Sequence, residues 1–202
     1  MKPNTPTPRL SNSLVFLFKD DFWFSKVFIG GLVLLLSGAV VGIFLVLGYL
    51  TELTNGILHD NEIPPEWRHG KRFFSHGIRL VLALAAYAAP LTVVNVLSHS
   101  ASLLTVSIVL FLVAAPVIEA QYSIRFSLRD CFDWKSINRF IVRDPALFAR
   151  GIFISYGTIV LSISFGWMTL IIGWPFVIFW ATLVQAHIFA TLEKNAGFKI
   201  HD

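Results

Sequence analysis

The sequence predicts an all-α polytopic transmembrane bundle, with four spanning helices in two hairpins, a first segment that spans or re-enters, and short interfacial helices. Three observations carry that fold class. Hydrophobic residues make up 55% of the 202 positions and charged residues only 14%, with a mean hydropathy of +0.70, whereas a soluble domain carries about 25% charged residues. Apolar runs of roughly 20 residues recur, the length a helix needs to cross a hydrocarbon core of ~30 Å. The charges lie almost entirely between those runs. The short alternating strands of a membrane β-barrel are absent from the pattern.

Residues 1–13 read as a disordered polar tail, 14–192 as a single transmembrane domain and 193–202 as a polar C-terminal tail. Three prolines in the first 13 residues and charge recurring at Lys19, Asp20 and Asp21 do not fit a cleaved signal peptide. Leu14–Phe24 reads as a short interfacial helix, with Phe22, Trp23 and Phe24 at headgroup level. The first membrane segment, Val27–Leu50, holds Gly30, Gly31, Gly38 and Gly42. Gly38 and Gly42 stand at the G-x-x-x-G spacing that lets helix backbones approach closely. Ser37–Gly38 is also a candidate break that would turn the segment into a re-entrant pair of half-helices, tolerated only where protein shields the broken backbone.

A polar connector follows. Thr51–Leu58 continues the helix, Pro64–Pro65 stops it, and Trp67 is a candidate interface anchor. The second membrane helix covers about 78–97, with Pro90 near its middle, and Ser98–Ser102 turns it into a third over about 103–124. Arg125 to Arg150 is basic. Within it Trp134, Ile137, Phe140 and Ile141 recur at helical spacing behind the N-cap Asp133, which predicts an amphipathic helix on the membrane surface. Asp144–Pro145 opens the next helix. Residues 151–192 form a second hairpin that turns at Gly173–Trp174–Pro175, and Gly151, Ser155, Thr158 and Ser162 make a small-residue face in its first arm.

If both hairpins hold, the connector 51–77, the 125–150 segment and the C-terminus share one side. Every basic residue after Lys26 falls there, and the positive-inside rule makes that side cytoplasmic. Lys2, Arg9, Lys19 and Lys26 join it only if the first segment re-enters.

An ordered set of motifs carries a family resemblance. Gly30–Gly31 and Gly48–Tyr49–Leu50 bound the first segment. Ile63–Pro64–Pro65–Glu66–Trp67, Phe73–Phe74, Gly77, Tyr87 and Pro90 follow, and Leu183–Val184–Gln185–Ala186–His187 stands near the end. Over roughly residues 20–192 the chain resembles the domain-of-unknown-function family 4013 of small prokaryotic integral membrane proteins. It departs from that pattern at Ser37–Gly38, where a proline-containing break is expected. The resemblance implies a prokaryotic plasma (inner) membrane protein and an α-helical bundle, and it implies no activity.

Glu119, in the third helix, is the sharpest polar candidate. An ionisable group inside a membrane helix costs about 2.5–3.5 kcal/mol on insertion scales, which points to cation binding or proton relay unless it reaches the interface. Gln185 and His187 in the last helix suit interhelical hydrogen bonds more readily than ligation. The connector's His59, Asp60, Glu62, Glu66, His69 and His76 show no metal-binding spacing. Arg125, Arg129, Lys135, Arg139 and Arg143 are candidates for anionic lipid headgroups. A lone cysteine, Cys131, excludes an internal disulfide framework, and no catalytic signature appears. The expectation is a non-enzymatic accessory or scaffold subunit without cofactor or metal, packing against membrane proteins or itself and binding no nucleic acid. The alternatives are a small oligomeric transporter or channel using Glu119, Gln185 and His187, and an anionic-lipid-binding protein.

Overall fold

The computed structural model describes residues 12–35, 41–168 and 173–195. Among them the chain is helical and strand-free. Its α-helices are α1 (Asn12–Val15), α2 (Trp23–Leu35), α3 (Val41–Leu58), α4 (Gly70–Ser98), α5 (Ala101–Arg125), α6 (Trp134–Val142), α7 (Pro145–Met168) and α8 (Trp174–Asn195). Helices α3, α4, α5, α7 over Pro145–Phe165, and α8 are long and apolar enough to cross a membrane.

The two expected hairpins are present as α4–α5 and α7–α8, with longer arms than the hydropathy suggests. Helix α4 begins at Gly70 rather than near Ile78, because Phe73, His76 and Gly77 are already buried while Lys71 and Arg72 face outward. Asp133 caps α6 by accepting from the Lys135 and Ser136 amides, and the Asp144 carboxylate caps α7 by accepting from the Leu147 amide at 2.9 Å.

The first apolar segment forms a third hairpin. Gly30 in α2 and Tyr49 in α3 both meet Phe179 of α8; in one continuous helix they would stand ~28 Å apart. Trp67 ties the two arms at the same end, donating to the Lys26 carbonyl at 3.1 Å and stacking on Tyr49 at 4.2 Å. Helices α2 and α3 therefore run out and back along α8, and residues 12–26 share an end with the connector. Gly38 lies outside the described residues; Gly42 is buried in α3.

Close backbone approaches lock this arrangement. A Cβ on Gly48 would sit 1.7 Å from the Phe73 carbonyl oxygen, and one on Gly77 would sit 1.8 Å from that of Phe44. Helices α3 and α4 thus cross with their main chains in contact, each supplying one glycine. Gly30 and Gly31 leave room for the Phe179 and Phe176 rings. In hydrocarbon, where helices gain little from hydrophobic burial against one another, such close packing is a main source of association.

The N-terminal segment differs from the single interfacial helix expected over Leu14–Phe24. A short α1 passes into a 3-10 turn over Phe16–Lys19, and Asp20 adopts an extended backbone. The Asp20 side chain then accepts from the Phe22 amide at 3.0 Å, which starts α2. Phe16 and Leu17 are buried, while Phe22 and Phe24 stay exposed. The ordered body also extends beyond the expected limits at both ends: Ser13 and Glu193, each assigned to a tail, are buried.

Candidate functional site

Each polar candidate within the bundle has its own partner on its own face. Glu119 is half-buried and accepts from the Thr54 hydroxyl of α3 at 3.2 Å. Gln185 hydrogen-bonds the Tyr156 hydroxyl of α7, and Tyr156 donates to the Leu112 carbonyl of α5. That carbonyl has lost its helical donor because Pro116 has no N–H, so Tyr156 closes a proline break and Gln185 holds Tyr156. His187 faces the N-terminal segment: its Nδ1 bonds Ser13 Oγ at 2.8 Å and Phe16 packs on its ring at 4.2 Å. Among the described residues no hydrogen bond or ion pair joins any two of Glu119, Gln185 and His187.

Sequence reasoning missed several polar pairs. Gln121 donates to the buried Glu193 at 2.9 Å, His76 bonds the Tyr122 hydroxyl at 3.1 Å, and Asn55 donates to the Ser123 carbonyl at 2.7 Å. All join residues far apart in sequence, so no local spacing announces them.

At the charged end the connector and the N-terminal segment clasp each other. Lys26 is buried, pairs with buried Asp20 at 2.5 Å, and also donates to the Pro64 carbonyl at 2.7 Å. Lys19 pairs with Glu62 at 2.7 Å and Lys194 pairs with Asp60. These lysines hold the Glu62 and Asp60 carboxyls below the usual carboxylate range, chiefly by direct hydrogen bonds. The remaining connector candidates do not converge: His59 bonds the Asn55 carbonyl and Glu66 pairs with Arg68. Among the described residues no three His, Cys, Asp or Glu side chains gather.

The small-residue face of α7 is internal. Ser155, Thr158 and Ser162 are buried, and a Cβ on Gly151 would meet Leu192 at 2.7 Å and Ile188 at 3.2 Å on α8. The amphipathic α6 packs part of its apolar face inward, burying Ile137 among Val117, Ala120, Ile188 and Leu192, while Trp134 of the same face stays exposed. Arg125, Arg129, Lys135, Arg139 and Arg143 are all exposed. Cys131 is fully buried beside Leu80, Ile118 and Tyr122, and burial pushes its thiol up to about 11.

The outer half of the α4–α5 hairpin has little cover. Leu82, Ala86, Ala89 and Val93 follow at i, i+4, i+7 and i+11 on α4, and all are exposed. Pro90 removes the helical donor to the Ala86 carbonyl. Thr92, Asn95 and Thr105 bond carbonyls of their own helices, those of Ala88, Leu91 and Ala101, while Tyr87 donates to the Cys131 carbonyl at 2.7 Å. Between the arms, Leu91, Asn95, Leu104 and Ile108 line a cavity of about 200 Å³, and the buried Asn95 Oδ1 has no hydrogen-bond partner among the described residues.

These features define a polytopic α-helical membrane protein with its described charges gathered at one end. The family described as a protein of unknown function (DUF4013) matches residues 31–173, and the chain belongs to that family. No curated protein and no solved structure matches it.

Proposed function

We propose that the chain is a non-enzymatic accessory or scaffold subunit of the prokaryotic plasma membrane that packs against a partner membrane protein through the outer half of α4. The observation that supports this most is the exposure of Ala86, Ala89 and Pro90, where proline leaves the Ala86 carbonyl without its helical donor. An uncovered carbonyl in hydrocarbon costs several kcal/mol, and small residues let a second helix approach it. The chain treats its other proline break in this way, with Tyr156 of α7 donating to Leu112. A partner helix bearing a hydroxyl or amide at the depth of Ala86 would do the same. In this reading the connector 51–77, the 125–150 segment and the C-terminus are cytoplasmic, following their basic residues.

The test is affinity purification from native membranes in mild detergent, comparing wild type with Ala86→Leu and Ala89→Leu. Wild type should bring down a partner membrane protein in fixed ratio, and both variants should lose it. Because both alanines are exposed, the melting of the purified chain should not change. Recovery of the chain without any partner, or a partner retained by both variants, sinks the proposal.

A further inference from the structure

The basic segment after α5 forms a second surface, on a different element from the exposed stretch of α4. On α6, three parallel strips run down the helix at four-residue intervals. Ile137 and Ile141 form the inner strip, packed into the bundle. Lys135, Arg139 and Arg143 form an outer strip, all exposed. Between these lie Trp134, Asn138 and Val142, all exposed, Trp134 and Val142 at 71% and 60%. The tryptophan and valine thus border the cations on a surface that the chain itself leaves open. Phe132, also exposed, precedes them.

What surrounds this surface indicates its depth. Helix α7 begins at Pro145, directly after α6, and soon exposes Phe153, Val160 and Leu161. No charged residue occurs from Gly151 to Leu192. The strip of Lys135, Arg139 and Arg143 therefore lies where open apolar surface gives way to charge, the level of lipid phosphates. Long basic side chains keep their stems along apolar surface and extend their charges outward, and indole rings favour the same boundary.

We infer that α6 is an anionic-lipid contact, with Lys135 and Arg139 binding headgroup phosphates and Trp134 seated among the first acyl carbons beside them. Phosphate is the shared chemistry of a lipid headgroup and a free anion, and the exposed Trp134 and Val142 beside the cations favour the lipid.

The full-length chain would be reconstituted with phosphatidylcholine and phosphatidylglycerol together, re-extracted in mild detergent, and its retained lipid counted. The variants are Lys135→Glu and Arg139→Gln, the latter chosen because Arg139 also acts electrostatically on the buried Glu193. Arg68→Gln, exposed on the connector, is the control. Phosphatidylglycerol should be retained in preference to phosphatidylcholine. Its retention should fall about fivefold for Arg139→Gln and further for the charge reversal Lys135→Glu, weaken with salt, and stay unchanged in the control. Melting should hold in all variants. Equal retention of both lipids, or retention indifferent to Lys135 and Arg139, overturns the inference. Displacement of the lipid by inorganic phosphate beyond that caused by chloride at equal ionic strength would assign the strip to a free anion and overturn it as well.

Discussion

A hydrogen atom in place of a methyl group decides the crossing of α3 and α4. At Gly48 and Gly77 a Cβ would press on backbone oxygens, which cannot rotate away as a side chain can. Gly48→Ala or Gly77→Ala should therefore destabilise the chain by about 3 kcal/mol or more, at or beyond the upper end of ordinary overpacking. Gly157, inside α7, has nothing within 4 Å of its would-be Cβ. Gly157→Ala should instead stabilise by about 0.5–1 kcal/mol through its helix propensity. Thermal melting in one detergent would rank the three, and equal effects would refute the crossing. Both crossing glycines are visible among the family motifs, yet their pairing is not legible. They belong to different helices, and G-x-x-x-G spacing reports only glycines on the same one. The small face Gly151, Ser155, Thr158 and Ser162 was legible as a packing face because its period lies within one helix. Which neighbour it meets was not.

Among the elements, α4, α5, α7 and α8 were legible because long charge-free runs ended by basic residues leave few other options for a helix in lipid. The course of the first segment was not, since length and composition allow both a crossing and a return. Contacts across the chain decide it, as Trp67 grips Lys26 and Tyr49 together. Exposed Asn12 and Asn61 should therefore lie on one side of the membrane and exposed His99 on the other. Single cysteines at these positions, probed with an impermeant maleimide on oriented vesicles, should label Asn12→Cys and Asn61→Cys together and His99→Cys from the opposite face. The native thiol need not be removed. Cys131 is fully buried, and with its thiol pushed up to about 11 it carries almost no thiolate near neutral pH. Labelling of Asn12→Cys and His99→Cys from the same face would disprove the third hairpin. For α6, periodicity revealed an apolar face but not its division; the neighbouring helices take Ile137 and Ile141 and leave Trp134 open.

Across the whole molecule, the clasp between the N-terminal segment and the connector links the first hairpin to the rest of the charged end. Glu62 and Asp60 have carboxyls lowered by Lys19 and Lys194. Their contribution is fully present above the unfolded carboxylate values of about 3.9–4.3 and is lost as pH falls through the lowered folded values. Hydrogen-exchange protection over residues 12–19, taken relative to the intrinsic rate at each pH, should therefore fall as the pH is taken below about 4. Lys19→Ala should exchange faster already at neutral pH and respond less to acid. A wild-type profile flat down to pH 3 would show that the clasp does not depend on these pairs. Both pairs are partly open to water, so screening keeps the effect local to the segment.

The gathering of charge at one end also bears on how the molecule enters its membrane. From Val27 to Leu50, from Leu80 to Ile118 and from Gly151 to Leu192 there is no charged side chain, so none of the three hairpin tips must carry an ion through hydrocarbon. Moving one elementary charge across 100 mV involves about 2.3 kcal/mol, and for these tips that work is absent. Each hairpin can partition as a closed pair of helices, its cations held back at one face. Whichever face they enter from, the tips meet the membrane voltage without a charge for it to act on.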